Sequence, residues 1–530
     1  MEQFDAVIVG SGHNALITAA YLARAGWSVL VLEQNDRPGG LVRTEELTLP
    51  GFKHDVFSAA HPLFVTGQAY ADLGAELTAR GLRYLNTDLP TGVSMADGQT
   101  AVFSQSMEAT IAEAERLAPG DGAALGGMLE AIGPYANDVF SLFSMDLASK
   151  PAGAIIGRLL GNPDGPGYSP FAAALFQTAR TVVSPFRSPA MQAMLAPWVM
   201  HLGRTPDEVG SGVWVPLLVM ALLGGGMALP EGGSERLAQA LASLVTDHGG
   251  TIRTGARVTR IRVERGRATG VETADGEAYG ARRAVVASVN PDQLYLKLLE
   301  GAEVPSALRR QASQFRYGRG AVQIQLALSE PPAWPDERFR RIGQPHLSSG
   351  LDACTLAIAQ GMAGLLAADP TFTVDCPTSH DPTRAPAGKA IVRVQVLEVP
   401  CRPRGDAAGQ IEVGDGAWDE DVKQRFAERI IGIVGRHIPN IPSAILGTHI
   451  VSPAELARFS PNLGPGDPYG GAHDLAQSYL FRPLPGQPGH QSSVPNVYML
   501  GAGTWPGHGV NGGSGYIVAQ ALLSPGHGQD

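Results

Sequence analysis

Apolar strand patterns and a glycine-rich turn alternate in the N-terminal part of the chain. The apolar run Ala6–Val9 leads into a turn and a helix-forming stretch, and a second apolar run, Val29–Leu32, follows. Short apolar runs bounded by glycine are typical of buried strands. The turn carries small residues at Gly10, Gly12 and Ala15. This order predicts an α/β fold in which strand, phosphate-binding turn, helix and second strand follow one another.

The turn and the end of the second strand predict dinucleotide contacts. Gly10 permits the tight turn, Gly12 lets a pyrophosphate approach the backbone, and Ala15 allows close helix packing. The helix N-terminus offers free N–H groups and a favourable dipole to phosphate. A carboxylate after the second strand accepts ribose hydroxyls and repels a 2'-phosphate, so NADP is disfavoured. The predicted cofactor-binding residues here are Gly10, Ser11, Gly12, His13, Asn14 and Glu33. For His13 we expect a structural role or a phosphate contact.

A second glycine pair distinguishes FAD from NAD. Gly39 and Gly40 follow Glu33 too closely to begin another nucleotide-binding unit. An NAD domain has no need of this element, whereas a flavin dinucleotide extends past the pyrophosphate toward its ring. We therefore predict FAD as the cofactor and add Gly39, Gly40 and Arg43 to its binding residues.

Four motifs resemble the glutathione-reductase-type FAD superfamily, and within it the phytoene desaturase-like branch that includes the pyridine nucleotide-disulfide oxidoreductase domain proteins. They are GSGHNA, LEQNDRPGG, PGFKHD and, near the C-terminus, LGAGTWPGHGVNGG. The resemblance covers nearly the whole chain. It implies a Rossmann-like FAD-binding domain with an interleaved α+β substrate domain. It further implies adenine contacts from the backbone of Val258 and contacts to the rest of FAD from Gly501, Gly503, Gly509 and Val510.

Five segments follow from this organisation. Residues 1–60, 228–295 and 491–530 are expected to build the FAD-binding domain. Residues 61–227 are helix-rich and apolar, and residues 296–490 mix strands with proline-rich loops. These two segments are expected to build the substrate domain.

Several local predictions belong to this plan. Ser234 suits the N-cap of a helix, and Asp275-Gly276 suits the turn of a hairpin. The turn-rich segment Pro377 through Gly388 is assigned to the surface. The apolar run Val213–Leu223 is interpreted as a buried helix, with a substrate tunnel or a membrane-dipping surface as alternatives.

Charge and composition exclude some partners. The chain has 530 residues, enough for three or four domain-sized units, and its formal net charge is -10. It contains no basic block of the kind that nucleic acid requires. The acidic start, Met1–Asp5, is unlike a signal peptide, so cytoplasmic residence is expected. No apolar run reaches the roughly 20 residues that span a bilayer, which leaves peripheral membrane contact open.

The spacing of the cysteines and histidines argues against dithiol redox chemistry and against a metal site. Cys354, Cys376 and Cys401 form no CxxC pair, which argues against dithiol redox chemistry. The histidines show no metal-ligand spacing, and no metal is predicted. The chain shows no second strand–GxGxxG–helix unit. The electron acceptor is therefore expected to meet the flavin directly, and oxygen or a quinone would fit.

The resemblance and the apolar helical segment together predict the reaction. We expect an FAD-dependent dehydrogenase or desaturase that removes hydride from a small apolar or amphipathic substrate onto flavin N5. Trp505 and His508 stand where many relatives have histidine and glycine, so they are candidates for the catalytic face or for a structural role. The alternatives are C–N oxidation as in amine oxidases, flavin-dependent isomerisation, and a non-catalytic prenyl- or lipid-binding escort. Substrate identity and oligomeric state are left open.

Overall fold

The computed structural model describes residues 1–162, 165 and 167–524. In chain order its strands are β1 Glu2–Val9, β2 Val29–Leu32, β3 Thr44–Glu45, β4 His54–Asp55, β5 Tyr84–Leu85, β6 Leu89–Met95, β7 Thr100–Phe103, β8 Leu229–Pro230, β9 Thr251–Arg253, β10 Val258–Glu264, β11 Arg267–Thr273, β12 Ala278–Ala287, β13 Gly320–Leu328, β14 Ile342–Ser348, β15 Leu365–Leu366, β16 Phe372–Asp375, β17 Ala390–Val399, β18 Gly405–Asp406, β19 Ile445–Val451 and β20 Val497–Met499.

Helices connect these strands, and several of them pack on the faces of the two large sheets. They are α1 His13–Arg24, α2 Pro62–Val65, α3 Gln68–Ala79, α4 Met107–Leu117, α5 Asp121–Leu142, α6 Lys150–Leu160, α7 Pro170–Ala174, α8 Ala179–Val183, α9 Pro189–Leu195, α10 Trp214–Gly225, α11 Glu235–Asp247, α12 Pro291–Gln293, α13 Ser306–Ser313, α14 Leu351–Met362, α15 Glu420–His437, α16 Ile441–Ala444, α17 Pro453–Phe459 and α18 Gly513–Leu523.

The first sheet is the dinucleotide-binding sheet. Its strand order is β10-β11-β12-β1-β2-β9, and β20 pairs with β12 beside β11. Strands β1, β2, β9, β12 and β20 pair with one another in parallel, while β11 is antiparallel to both β10 and β12. The arms of the hairpin expected at Asp275-Gly276 are β11 and β12. The sheet takes its strands from the three segments assigned to the FAD-binding domain. Both chain ends therefore meet in one sheet.

Both faces of the first sheet are apolar. Alternate residues of β1 point to opposite sides, as strand geometry requires. Ile8 packs in the same core as Leu16 of α1 and Leu241 of α11. Val7 packs in a second core on the other face, with Ile261. The continuous apolar runs read from the sequence reflect this double burial.

The second sheet has the order β19-β13-β17-β16-β14-β6-β7. Its strands β13 and β17 lie in the segment 296–490, which was expected to mix strands with proline-rich loops. The helix-rich segment contributes β6 and β7 to this sheet, in addition to its helices. One face of the sheet packs on α15, where Ile324 shares a core with Phe426.

The apolar run at Val213 forms helix α10, which is largely buried. Pro216 lies in the first turn, where a helix has no internal acceptor for an N–H group, so proline is tolerated there. The described residues contain no helix whose length and apolar character would let it cross a membrane.

Two local predictions were wrong. Ser234 precedes α11 but has helical dihedral angles, and its side chain caps no N–H group. Its Oγ instead donates to the carbonyl of Ser58, because the chain after the second glycine pair passes beside it. The segment from Pro377 to Gly388 is not a surface element throughout. Its Arg384 is buried and lies 2.9 Å from the carboxylate of Asp55, which draws the segment inward.

Candidate active site

The turn between β1 and α1 leaves several backbone N–H groups free. Gly10 has φ +88°, a conformation that favours glycine. No side chain caps α1 at its N-cap Gly12, and α1 has no acidic residue in its first turn. The N-terminal N–H groups and the helix dipole thus face an open groove, an arrangement suited to phosphate.

The two ends of the chain meet at this turn. The side-chain oxygen of Asn14 accepts a hydrogen bond from the N–H of Gly515, at 3.0 Å. Thr18 donates to the carbonyl of Gly515, at 2.8 Å. A Cβ at Gly515 would lie 2.2 Å from the carbonyl oxygen of Asn14, so only glycine lets α18 approach α1 this closely.

Glu33 lies at the C-terminal end of β2 and is 4% exposed. Its Oε2 accepts from the backbone N–H of Ser11 at 2.8 Å and from the Ser11 hydroxyl at 2.6 Å. Its Oε1 accepts from the N–H of Asn35 at 2.9 Å. These three bonds fix the carboxylate on the groove wall, and because an ionised carboxylate offers about four acceptor sites, Oε1 keeps one for a ribose hydroxyl.

A groove of about 330 Å³ follows the turn along the C-terminal ends of the first sheet's strands. Its lining includes most of the predicted FAD-binding residues, namely Gly10, Ser11, Gly12, His13, Asn14, Glu33, Gly40, Val258 and Gly501. Gly509 and Val510 line an adjoining cavity instead. The groove draws its walls from both chain ends, as a cofactor held along its length would require.

Three predicted residues lie behind the groove wall. Gly39 donates its N–H to the carbonyl of Ser11 at 3.0 Å and so braces the phosphate turn. Gly503 is buried against Asn290, whose side-chain oxygen would be 2.6 Å from a Cβ at this position. Arg43 forms ion pairs with Glu45 through Nε and with Asp36 through Nη2, so two of its three nitrogens are engaged within the protein.

His13 lies where the groove meets the cavity and lines both. Burial lowers the pKa of His13 to about 4, so its imidazole is neutral near pH 7. Its Nε2 accepts from the side-chain amide of Asn14 at 3.0 Å. This position fits the structural or phosphate-contact role predicted for it.

The sequence analysis did not predict two other groove residues, Asn290 and Asn462, because they lie outside the glycine motifs. The side-chain amide of Asn290 donates to the carbonyl of Asn462 at 2.8 Å, and that of Asn462 donates to the carbonyl of Ser288 at 2.8 Å. These bonds join the end of β12 to the loop after α17. The only sequence signal was the polar SVN that directly follows the apolar strand β12.

The cavity beyond the groove has a volume of about 270 Å³. It shares His13, Asn14, Leu41 and Ala502 with the groove, so the two spaces are continuous. Most of its lining is apolar, and four of its polar residues, Gln323, Gln344, Arg393 and Gln395, lie on the second sheet. Among the described residues that line it there is no aspartate or glutamate.

The charge of Arg393 on the cavity floor is neutralised within the protein. Its Nε lies 3.0 Å from an oxygen of Asp375, and its Nη1 donates to the carbonyl of Phe57 at 2.6 Å. Both partners of this ion pair are buried. The cavity floor is therefore polar but carries no unbalanced charge from this residue.

His508 is tied to the protein through both ring nitrogens. Its Nε2 lies 2.6 Å from the carbonyl oxygen of His201, which can only accept, so Nε2 carries the proton. Its Nδ1 lies 3.0 Å from Nε2 of His473. Burial lowers the pKa of His508 to about 4. These contacts favour the structural role over that of an acid or base.

Trp505 belongs to an aromatic cluster beyond His508. Its Nε1 donates to the carbonyl of Leu142 at 2.8 Å, and its ring contacts Phe143 and Tyr479. It lines a small vestibule of about 50 Å³ and a further chamber of about 200 Å³. It does not line the cavity beside the groove, so a packing role or contact with a substrate chain suits it better than contact with the flavin.

The further chamber is lined by apolar and aromatic residues of α5, α6, α10 and the loop around Tyr479. It shares Phe143, Trp214, Leu217, Tyr479 and Trp505 with the vestibule. The vestibule in turn shares residues of α10 and His508 with the cavity. Cavity, vestibule and chamber thus adjoin one another along α10.

The fold and the groove define an FAD-dependent oxidoreductase. The chain belongs to the family of flavin containing amine oxidoreductases, whose pattern matches residues 171–523. A pattern for NAD(P)-binding Rossmann-like domains matches residues 8–72.

Named relatives extend over almost the whole chain. The rat pyridine nucleotide-disulfide oxidoreductase domain-containing protein 2 is 27% identical, with 98% of this chain and 93% of that protein covered. The neurosporene-forming phytoene desaturase of Cereibacter sphaeroides is 27% identical, covering 98% and 94%. One of the subunits of limonene dehydrogenase from Castellaniella defragrans is 24% identical, covering 98% and 95%. These relatives confirm the resemblance to the phytoene desaturase-like branch.

Solved structures show the same fold. Cyclohexylamine oxidase from Brevibacterium oxydans superposes with a TM-score of 0.60 at 18% identity, and 98% of each chain is covered. The mixed α/β fold with a Rossmann-like domain is therefore confirmed, as are the flavin cofactor and the enzyme class. The escort hypothesis is set aside accordingly.

Proposed function

We propose that this enzyme dehydrogenates an uncharged, largely apolar molecule. Bound FAD supplies the hydride acceptor. The turn at Gly10 to Asn14 and the carboxylate of Glu33 hold the adenosine and pyrophosphate parts of the cofactor. The substrate occupies the cavity continuous with the groove, where the apolar walls exclude water.

The observation that carries the proposal is the charge of the cavity wall. A buried cation requires a counterion, because transfer of a charge from water costs several kcal/mol without one. The described residues lining the cavity include no carboxylate. Asp375 neutralises Arg393, and burial keeps His201 neutral by lowering its pKa. The cavity therefore favours a neutral molecule over an ammonium ion.

The apolar chamber supports an extended hydrocarbon part. Each buried methylene group contributes about 0.8 kcal/mol to binding through the hydrophobic effect. Residues such as Leu142, Ile156 and Phe171 line the chamber without a charged side chain among them. Relatives named for limonene and for phytoene are consistent with such a substrate.

The partner of the reduced enzyme is proposed to be oxygen or a quinone. Cys354 is buried, and Cys376 and Cys401 are half-buried; burial raises the pKa of all three thiols. Such thiols are poor nucleophiles, which argues against electron transfer through a dithiol. Three free thiols also suit a reducing compartment such as the cytoplasm.

Contact with a lipid surface is proposed for the side of the molecule near the chamber. Phe140 lines the vestibule and Leu480 lines the chamber, yet both are exposed to solvent. Phe176 and Phe481, neighbours of chamber residues in the chain, are 70% and 50% exposed. An apolar substrate dissolved in a bilayer could enter the chamber from this surface.

Oxidation of a C–N bond is the second candidate, supported by the fold shared with cyclohexylamine oxidase. In this cavity an amine would have to bind as its free base. Such binding would make the reaction strongly pH-dependent, since most alkylamines are protonated near neutral pH. Isomerisation without net redox change is the third candidate, and it would leave the flavin's oxidation state unchanged.

Anaerobic reduction of the purified holoenzyme tests the proposal. Monoterpenes, polyenes, long-chain alcohols and ketones, and matched amines are each added while the visible flavin absorbance is recorded. We expect bleaching by one or more uncharged lipophiles and none by amines. Bleaching by amines alone would overturn the proposal in favour of C–N oxidation. The reduced enzyme is then mixed with oxygen or a soluble quinone, and the faster reoxidation identifies the acceptor.

A further inference from the structure

The polar face of the second sheet is buried, which is unusual for a strand with alternating polar and apolar residues. In β13 and β17 the apolar positions pack on α15, and the alternating polar positions point to the opposite face, where Gln323, Arg393 and Gln395 line the cavity. Gln323, Gln325 and Arg393 are each no more than 6% exposed. Bulk water therefore does not supply the hydrogen-bond partners of these side chains.

Three of these groups bind the backbone after the second glycine pair. The amide of Gln325 donates to the carbonyl of Asp55 at 2.8 Å, and that of Gln323 donates to the carbonyl of Phe57 at 3.0 Å. Arg393 donates to the same carbonyl of Phe57. These hydrogen bonds account for this part of the polar face, since they attach the segment between the two domains to the sheet.

Two further side-chain amides on this face, those of Gln344 and Gln395, do not bind this backbone segment. The side chain of Gln395 makes no hydrogen bond within the part of the chain that the structure describes. Gln344 has only a long contact of 3.5 Å, from its Nε2 to the hydroxyl of Thr373. Gln344 is buried and Gln395 is half-buried. Both side chains line the cavity beside the groove.

The strand register brings these two amides to the same place. Gln395 of β17 lies opposite Thr373 of β16, and Thr373 lies opposite His346 of β14. Gln344 is two residues from His346 and so points to the same face of β14. The two amides therefore flank Thr373 on the cavity floor.

An amide that a bound ligand covers without offering it a hydrogen-bond partner costs about 1–3 kcal/mol. Gln344 and Gln395 lie on the two strands that flank β16, and both line the cavity floor, so a ligand that covers them is expected to supply their hydrogen-bond partners. Each offers N–H donors and a carbonyl acceptor. Together they can bind a carbonyl oxygen through two N–H groups, or a hydroxyl through one donor and one acceptor.

We propose that Gln344 and Gln395 form a recognition site for an uncharged oxygen of the substrate, so that the substrate is a lipophilic ketone, ester or alcohol rather than a bare hydrocarbon. This inference rests on the proposed function, because it concerns the same cavity. The neutralised Arg393 and the lack of a lining carboxylate favour an uncharged oxygen over an ionised group. The adjoining apolar chamber takes the hydrocarbon part of such a molecule.

Matched ligand pairs test the inference by equilibrium binding to the holoenzyme. Limonene is compared with its ketone carvone, and farnesene with farnesol, by flavin spectral titration and by calorimetry. We expect at least one oxygenated member to bind about tenfold more tightly than its hydrocarbon, which corresponds to about 1.4 kcal/mol. Equal affinities, or no binding of any oxygenated probe up to its solubility limit, would overturn the inference.

Substitutions locate the effect. The double variant Gln344→Met with Gln395→Met keeps side-chain length but removes both amides, and we expect its oxygenated-to-hydrocarbon affinity ratio to fall to about one. The single variant Gln395→Met is used if the double variant binds less FAD. Gln360→Met is the matched control, since Gln360 lies on α14 and bonds only the N–H of Ala368. A ratio that survives in the variants with normal FAD content would contradict the assignment.

The two proposals fail in different ways. If a hydrocarbon bleaches the flavin and its oxygenated partner binds no better, the recognition site is refuted while the dehydrogenase proposal stands. If only amines bleach the flavin, the dehydrogenase proposal is refuted. The affinity ratio of the oxygenated and hydrocarbon probes still decides the recognition site in that case.

Discussion

The two large sheets of this protein are both buried on both faces, yet they serve ligands in opposite ways. In the first sheet, Val7 and Ile8 point into two separate apolar cores. Neither face is free, and the cofactor groove lies at the strand ends, where the backbone turns. In the second sheet, Ile324 packs in a core while Gln323 and Gln395 face the cavity.

This difference separates two kinds of binding chemistry. The turns of the first sheet offer backbone N–H groups, which suit phosphate and require glycine for close approach. The face of the second sheet offers side-chain amides, which suit an uncharged polar group in an apolar molecule. On the proposed function, backbone groups and Glu33 hold the cofactor, and side chains of the second sheet recognise the substrate.

The largest effect is expected where the two regions are joined. Arg384→Met removes the buried ion pair with Asp55, whose carboxylate also accepts from the N–H of Ser234 at 2.8 Å. Because an uncompensated buried charge remains, we expect the free energy of unfolding to fall by about 3–5 kcal/mol. Urea denaturation measures it. Arg158→Met, which removes an exposed ion pair with Asp138, is the control and should cost about 1 kcal/mol or less. Equal effects would contradict a role for Asp55–Arg384 in joining the two regions.

A substitution in the second glycine pair tests the backbone chemistry of the first region. Gly40 has φ +59°, and a Cβ there would lie 3.2 Å from the Cα of Gly12. Gly40→Val is expected to weaken FAD binding by about two orders of magnitude, or about 2.8 kcal/mol, because it closes the phosphate turn. FAD fluorescence after dialysis measures the affinity.

Gly81→Val is the matched control for this substitution. Gly81 also has a positive φ, +88°, but a Cβ there meets no atom within 4 Å. Both variants carry the strain of a left-handed residue, roughly 1–2 kcal/mol. Only Gly40→Val should lose FAD. Similar FAD content in the two variants would show that backbone strain, and not the closed turn, determines the effect.

The first region could be predicted from the sequence because its requirements appear as residue types at fixed spacing. Gly10, Gly12 and Glu33 each meet a local demand of a turn or a strand end, and all three line the groove. The prediction extended less well to Arg43, since the sequence does not show that Glu45 and Asp36 engage it. A motif identifies the turn, but not the partners that the tertiary structure gives to each side chain.

The second region could not be predicted to the same depth. The pattern V-R-V-Q-V of β17 is typical of a strand with one face in solvent. Only the tertiary fold shows that Arg393 and Gln395 face a closed cavity. Likewise, nothing near Arg384 in the chain indicates a buried partner, because Asp55 belongs to the other domain's connecting segment. Long-range pairing decides burial here, and local composition does not record it.

A substitution in the apolar chamber tests the binding of the substrate's hydrocarbon part separately from that of its polar group. Leu217 is 4% exposed and lines both the vestibule and the chamber. Leu217→Trp would fill part of the chamber and displace about three methylene groups, or about 2.4 kcal/mol of binding energy. We expect the affinity for a long-chain lipophile to fall about fiftyfold and that for a short one to stay constant. Equal losses for both lengths would mean that the chamber holds no substrate chain.

The smallest effect concerns the pH dependence of the polar face. Burial lowers the pKa of His346 to about 3, well below its value of about 6.5 in an unfolded chain. Between these values the unfolded state binds more protons, so the free energy of unfolding falls as pH decreases, by about 1.4 kcal/mol per pH unit for this residue.

His346→Gln removes this contribution. From about pH 6.5 to about pH 5, the variant should therefore lose about 2 kcal/mol less stability than the wild type in parallel urea titrations. Parallel curves for wild type and His346→Gln would mean that protons reach this face of the second sheet in the native state, and that its amides are hydrated rather than reserved for a ligand.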